Sequence, residues 1–535
     1  MRFIEKIKIE NKCTFSKHET IKNYKLSSFC VKEYISDGLL ICNAITGEMV
    51  LLTNEEYKEL ASGKVIASNW SGVMAERLFL VDTELDEYAM VDYERSQGTK
   101  KGITSYTILP TSCCNAQCFY CYEKGIPHIT MSSQTALDVA DFISRNCFDQ
   151  KVHINWFGGE PTIAHSVITL ICTRLRELNV EFSSSMISNG FLLDETMIRV
   201  AKKCWKLENV QVTIDGMERV YNEVKNYKGV PSNPFATVVM NIDSLLKSGI
   251  FVSIRINLGK HNYKDVANLI DYLKECFLNT KLLSVYVHEI DNVYEKESQD
   301  ELIDKTIELN NRLISMGLHK PAKLPSLRLH SCMADRDDTF VINPNGQLGK
   351  CEHYTFEKQV GSIYSSERNE SVIAAWKEKI TCEFCNNCPL YASCLQLKWC
   401  NGGLRCNKSI AEKKIAVVRN SMRMMYMEWK KKRQKIRTEL FFVLVKKVNI
   451  RLEAGEIYAD FCENENQQVL ETRRISHTVC LILFFLQKEQ SFQDIVNMLE
   501  ENCVGDQNTV ELFLEDYLMN MLQDGLIVSY TKENV

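Results

Sequence analysis

Apolar runs of strand length alternate with stretches of helical periodicity through the middle of the chain. Between residues 99 and 324, short apolar or alternating runs occur at 103–109, 152–157, 182–188, 210–214, 251–258 and 283–288. Most are separated by segments whose apolar positions recur every three or four residues. Alternating β and α units predict an α/β fold with a parallel sheet and right-handed crossovers. Six such units make an open (β/α)6 relative of the eight-unit barrel, a fold whose chemistry sits at the C-terminal ends of the strands.

The two ends are patterned differently. Residues 1–98 predict a small α+β module, with strands at 29–35, 38–43 and 48–52 broken by Asp37-Gly38 and Thr46-Gly47. Thr53 and Glu56 form a capping box for a following helix. This module is either a cover for the neighbouring domain or a winged-helix-like peptide binder. Residues 440–535 predict strands at 448–453, 457–461 and 468–473, then helices at 476–487, 491–501 and 508–523. Ser491 is placed as an N-cap and Gly525 as a C-cap. Residues 325–410 carry spaced cysteines and turn sequences such as Asn343-Pro344-Asn345-Gly346. Residues 411–439 read as a basic helix, either a solvated linker or a landing surface for an acidic peptide.

Composition narrows the class. The chain has 535 residues, room for several domains, and a net charge of −5, which gives no electrostatic reason to expect a nucleic-acid partner. It has 22 cysteines and begins without a secretory signal, so clustered cysteines point to metal or redox chemistry in a reducing compartment rather than to disulfides. The longest apolar run, around 479–486, is too short to span a bilayer. A soluble, cytoplasmic protein with no membrane partner is expected.

The sharpest motif follows the first strand run: Cys114-x3-Cys118-x2-Cys121, with Tyr120 before the last cysteine. Three thiolates can hold three irons of a [4Fe–4S] cube and leave the fourth open for a small molecule. A zinc site is the alternative, though zinc sites usually use two CxxC pairs. Cys113 offers a second register, x4-x2. The loop resembles the signature of the radical S-adenosylmethionine (SAM) enzymes, in which the open iron chelates SAM; the x3-x2 register matches that family and Cys113 is left out of the ligand set. The resemblance extends to Gly158-Gly159-Glu160-Pro161, similar to the family's GGE-type stretch, whose carbonyls and carboxylate would meet the amino group of SAM. Ser188-Asn189 resembles the ribose-contacting position and is otherwise a strand-end turn. Thr213-Ile214-Asp215-Gly216 is similar to the S-[IL]-D-G stretch of peptide-modifying members, which implies a catalytic position for Asp215 near the substrate; capping of the next helix is the plainer role. Arg255 would pair with the SAM carboxylate, or else form a structural ion pair.

A second cysteine field reads Cys332-x13-Gly346-x4-Cys351, then Cys385-x2-Cys388-x5-Cys394-x5-Cys400-x5-Cys406. It resembles the SPASM extension of peptide maturases and implies two auxiliary [4Fe–4S] clusters. The family has three residues where this chain has five between Cys394 and Cys400, which puts Cys400 in doubt. By resemblance, Cys385, Cys388, Cys394 and Cys406 hold the distal cluster, and Cys332, Cys351 and Cys400 the nearer one. The fourth position of the nearer cluster is open, or filled by another residue such as Cys382; zinc is again the alternative. The C-terminal module resembles the PQQ peptide-chaperone family, which takes a leader peptide as an added strand. Its other reading is a winged helix for dimerisation or DNA, and the acidic Glu511, Glu515 and Asp516 weigh against DNA. Which terminal module binds a leader is left open.

Together the resemblances imply a radical SAM/SPASM maturase of a ribosomal precursor peptide. It would cleave SAM to a 5′-deoxyadenosyl radical, form a cross-link such as a cysteine thioether, and draw electrons from a flavodoxin or ferredoxin. Formylglycine formation, carbon–carbon cross-linking and epimerisation are the other radical reactions; an iron–sulfur electron carrier or a peptide chaperone is the non-enzymatic alternative.

Overall fold

The computed structural model describes residues 2–5, 24–61, 69–97, 102–229, 233–277, 281–290, 296–354, 356–400, 406–438, 440–445, 447–462, 469–502 and 507–531. The chain divides into two compact units, Met1–Met422 and Arg423–Val535.

In the first unit, all six apolar runs of the middle region are strands: Ser105–Thr111, Lys151–Gly158, Glu181–Ser188, Leu207–Thr213, Phe251–Leu258 and Leu283–Glu289. They lie side by side in chain order, and every neighbouring pair is parallel. Helices fill the crossovers, among them Ser133–Asn146, His165–Glu177, Pro234–Lys247 and Tyr263–Cys276. The second to sixth strands alternate in burial along much of their length, whereas Ser105–Thr111 is buried at every position after Ser105. Ile154, Trp156, Val212, Ile254 and Val285 belong to the main core with Ile143, Ile168, Ile242 and Leu269 of the helices. Each buried side chain of this size contributes roughly 1.5–3 kcal/mol. The intervening positions are half-buried and largely polar. They bond across strands: His153 to Ser183 and Ser185, Tyr286 to Gln211, Ser185 to Asn155. The result is a partial barrel with an apolar side against the helices and a polar opposite face.

The sheet does not stop at six strands. Thr339–Ile342 joins it in parallel beside Ser105–Thr111, and the antiparallel strands Gln347–Gly349 and Gly361–Ser362 follow, for nine in all. The cysteine-rich segment is therefore built onto the barrel edge. Thr104 holds it there: its N–H donates to the Asp338 carbonyl at 2.9 Å and its hydroxyl to the Asp338 carboxylate at 2.7 Å.

The N-terminal module is a four-stranded antiparallel sheet in the order Arg2–Glu5, Met49–Leu52, Gly38–Asn43, Cys30–Ile35. The Thr53–Glu56 capping box forms, with reciprocal bonds of 2.8 and 3.2 Å. Phe29, Ala44, Ile45 and Val91 pack against Ala392 of the second cysteine field.

The second unit contains an antiparallel meander of Lys447–Glu453, Glu456–Cys462 and Val469–Ile475, then helices His477–Phe485, Phe492–Asn502 and Gln507–Gln523. Ser476 and Ser491 each accept a backbone N–H at a helix start, and Gly525 has φ +64° after the last helix. A small sheet absent from the sequence reading places Phe441–Leu444 between Gln490–Ser491 and Ile527–Tyr530. The basic helix is longer than expected, Lys408–Thr438. Two of its cations are paired within the unit: Arg433 is buried against Glu515 and Asp516, and the partly exposed Arg437 pairs with Glu511 and Glu515. No helix of the described residues is long and apolar enough to cross a membrane.

Candidate iron–sulfur and SAM site

The Cys114–Cys121 loop leaves the C-terminal end of the first barrel strand, and three other strand-end segments close around it. Gly158 and Gly159, at the end of the second strand, let this happen. Gly158 has φ +115°, and a Cβ there would stand 2.2 Å from the Thr111 carbonyl oxygen. A Cβ on Gly159 would stand 2.4 Å from that of Cys113. Backbone bonds follow from this approach: Gly159 N–H to the Thr111 carbonyl at 3.2 Å and Glu160 N–H to the Cys113 carbonyl at 2.9 Å. The glycines, expected to admit a ligand, thus admit the cysteine loop itself.

Glu160 is fully buried. Its carboxylate accepts from the Thr162 N–H at 3.1 Å, the Ser188 hydroxyl at 2.9 Å and the Asn189 N–H at 2.7 Å. Burial pushes its pKa up against the opposing pull of these bonds. Pro161 begins the following short 3-10 turn. Asn189 reaches the cysteine loop, donating from Nδ2 to Asn115 Oδ1 at 2.7 Å. Glu160 and Ser188 therefore join the second and third strand ends, and Asn189 joins both to the loop.

Below the loop lies a charge network that no motif announced. Tyr120 donates to Asp215 Oδ2 at 2.5 Å, and Lys225 Nζ lies 3.1 Å from both that oxygen and the Tyr120 hydroxyl. The Asn257 N–H donates to Asp215 Oδ1 at 3.1 Å, and its Nδ2 to Tyr120 at 3.1 Å. Asp215 is 0% exposed and Lys225 3%. Burial acts to lower the Lys225 pKa, but the neighbouring Asp215 and Tyr120 outweigh it and the ammonium form is strongly favoured. The Lys225 carbonyl accepts from Gln117 N–H in the cysteine loop at 2.8 Å. Asp215, expected beside the substrate, lies beneath the loop and holds it. Arg255 stays half-buried on the polar face, donating to Asn257 Oδ1 at 2.8 Å.

Cys114 and Cys121 are exposed at this strand end and Cys118 is partly so. The surrounding protein still desolvates the sulfur enough to push the Cys114 thiol up to about 12; the Ala116 N–H opposes this, and Glu160, Cys118 and Cys121 raise it further. The three thiols thus lie within electrostatic reach of one another. Among the described residues, no three His, Cys, Asp or Glu side chains converge on a single ion position. A cube takes one thiolate per iron, at separate corners. The adjacent Glu123 has a buried oxygen with no hydrogen-bond partner, and burial pushes its carboxyl up to about 7. Nothing in the sequence pattern distinguishes it.

Residues 108–286 match the family model of the Radical SAM superfamily. The chain carries a radical SAM domain. The match runs from the first strand into the sixth, across the whole set of strand ends just described. The family implies a [4Fe–4S] cluster and SAM, and an oxidoreductase-type enzyme. Among curated relatives, an uncharacterised protein of Methanocaldococcus jannaschii is 24% identical over 286 residues, covering 52% of this chain and 94% of that one. An Fe-coproporphyrin III synthase of Methanosarcina barkeri is 24% identical, covering 41% and 53%. The sporulation killing factor maturation protein SkfB of Bacillus subtilis is 22% identical, covering 41% and 48%. This chain thus spans about half the length of the last two. The solved structure of anSMEcpe with bound SAM is 15% identical, covers 61% of this chain and 99% of that one, and has a TM-score of 0.49.

Beyond the radical SAM domain, the second cysteine field separates into two groups. Cys332, Cys351 and Cys400 form one: burial raises the Cys332 and Cys351 thiols, Cys400 adds to both, and Cys332 adds to Cys351. Beside Cys351, the buried Trp376 has an indole N–H with no partner, a donor of the kind that cluster sulfurs accept. The other group lines a hollow of about 500 Å³, mouth included, whose wall includes Cys382, Cys385, Cys388, Cys394 and Cys406. Cys382 lies with this group, its sulfur 3.6 Å from that of Cys385. Arg95 of the N-terminal module braces the wall through the carbonyls of Tyr391, Ala392 and Cys394 at 2.8–3.0 Å. Both groups fit iron–sulfur ligation in donor type, one with three thiols and the other with five.

Proposed function

We propose that this chain is a radical SAM maturase of a ribosomally made peptide, joining two of its residues, with a cysteine thioether as the product. The observation that carries the reading is the open three-cysteine loop at the C-terminal end of the first strand of a radical SAM domain. Cys114, Cys118 and Cys121 would hold three irons and leave the fourth for SAM. When bound, this pair supplies a 5′-deoxyadenosyl radical that takes hydrogen from carbon. The chain's own residues bind and orient. The backbone of Gly158, Gly159, Glu160 and Pro161 would meet the amino group of SAM, the Ser188-Asn189 turn the ribose, and the Arg255 guanidinium the carboxylate. Glu160, Ser188 and Asp215 act through the loops they hold, because their side-chain oxygens are bonded within the protein. The polar face of the sheet, lined by His153, Asn155, Gln211 and Arg255, suits a hydrogen-bonding substrate.

Three features support a peptide over another substrate. The second cysteine field resembles that of peptide maturases, with Cys332, Cys351 and Cys400 near one cluster and the remaining set near another. The second unit has the three-strand, three-helix order of a leader-binding domain, and Lys447–Glu453 is an exposed edge strand of its meander. SkfB is by name a maturation protein. The N-terminal module packs on the cysteine field, which favours the C-terminal one as the leader binder. The enzyme would work in the reducing cytoplasm with a flavodoxin or ferredoxin donor.

The test is anaerobic co-expression with candidate precursor peptides and tandem mass spectrometry, beside an assay of 5′-deoxyadenosine from reconstituted protein, SAM and dithionite. Loss of two hydrogens per site, with no fragments between the joined residues, is expected. SAM cleavage with every peptide mass unchanged would overturn the cross-linking reading; no SAM cleavage by cluster-loaded protein would overturn the enzyme reading.

A further inference from the structure

The distal cysteine hollow holds one thiol more than a cube can use. A [4Fe–4S] cluster is filled by four cysteines, one per iron. Five sulfur-bearing residues line this wall: Cys382, Cys385, Cys388, Cys394 and Cys406. Two of them are not independent. The sulfurs of Cys382 and Cys385 are 3.6 Å apart, in van der Waals contact, and the Cys382 N–H points at the Cys385 sulfur at 3.3 Å. Thiols in contact reach the same corner of a cluster and compete for it. The others come from separate points on the wall. Cys388 ends the short turn Glu383–Asn387 and is buried; the Cys394 carbonyl is clamped by Arg95; Cys406 lies just before the long helix Lys408–Thr438.

We propose that Cys382 and Cys385 are alternative ligands for one iron of the distal cluster, either thiolate serving while the other stands by. The exchange is ligand substitution alone: one iron–sulfur bond forms as the other breaks, the proton passes from the incoming to the outgoing thiol, and no electron moves. It assigns Cys382 to the distal site and leaves the group of Cys332, Cys351 and Cys400 without a fourth cysteine from this stretch. The inference rests on the reading that this field binds an auxiliary cluster, and it is independent of the peptide substrate.

The test is iron and sulfide content with Mössbauer spectra of the anaerobically reconstituted full chain, on Cys382→Ser, Cys385→Ser, the double variant, and Cys388→Ser as reference. Thermal melting checks folding. Cys382→Ser and Cys385→Ser are each expected to keep the wild-type iron content, whereas the double variant and Cys388→Ser lose about four irons per chain. A Cys385→Ser that alone loses four irons overturns the proposal, as does a Cys382→Ser that alone loses four, or a double variant that keeps them. A Cys388→Ser with unchanged iron would also overturn it, since Cys382 and Cys385 would then fill two corners at once; iron unchanged in all four variants would instead sink the underlying reading that a distal cluster exists.

Discussion

Lys225 shows what a single residue contributes below the cysteine loop. Its ammonium is enclosed with Asp215 and Tyr120, and its carbonyl bonds to Gln117 of the loop. Breaking a buried ion pair by deleting one partner leaves an uncompensated charge and costs about 3–5 kcal/mol. Lys225→Ala is expected to cost that much in a denaturant melt and to release the first cluster's iron; Asp215→Asn, which keeps the shape and much of the hydrogen bonding, should lose less of both. An equal loss in the two variants would mean that charge is not what holds the loop. Of this network the sequence exposed only Tyr120 and Asp215, as parts of motifs. Lys225 and Asn257 carry no motif, because what matters in them is their distance from Tyr120, and that is set by two different crossovers.

At the scale of elements, the attachment of Thr339–Ile342 to the first barrel strand depends on Asp338. Burial would raise this carboxyl, but Arg336 and Thr104 outweigh it and hold it at about 2. The unfolded carboxyl lies at about 3.9. A depressed carboxylate contributes stability above the unfolded value that is lost as pH falls through the folded one. Asp338→Asn should therefore cost about 2 kcal/mol at neutral pH, the scale of hydrogen bonds to a charged group. Its deficit against the wild type should shrink as pH falls from about 4 towards 2, read from urea midpoints of the metal-free chain. A deficit that does not change with pH would refute the ionic role. A second element contact is Arg95, with bonds to four carbonyls on or near the distal wall, Arg328, Tyr391, Ala392 and Cys394. Arg95→Ala is expected to lower the distal iron selectively, by up to four irons per chain, while SAM cleavage at the first cluster continues. The strands themselves were legible from apolar runs. The short strand Thr339–Ile342 was not, because four residues in a turn-rich segment carry too little period to separate a strand from a loop.

Across the whole molecule, the division into two compact units predicts that each can be perturbed separately. In the second unit, Glu515 is 1% exposed and bonds to both Arg433 and Arg437. Glu515→Ala should destabilise that unit by about 3–5 kcal/mol, seen as a lowered second transition in calorimetry, with iron content unchanged. A fall in iron would mean that the units do not fold independently. The same ion pairs revise the picture of the basic helix. As a run of charges it looked like a solvated linker or an acidic-peptide surface, but two of its arginines are answered within the unit by the acidic residues of the last helix.

The sequence by itself determined the alternating α/β order, the helix caps at Thr53, Ser491 and Gly525, and the cysteine loop after the first strand, because these depend on residues a few positions apart. The polar face of the sheet rests on alternation within the second to sixth strands, and only the assembled sheet shows which side is which. The tertiary structure decided what Gly158 and Gly159 approach, what Asp215 touches, where Cys382 sits, and that the cysteine field continues the barrel sheet. Each of these joins residues tens to hundreds of positions apart, and such contacts are set by the packing of whole elements rather than by local spacing.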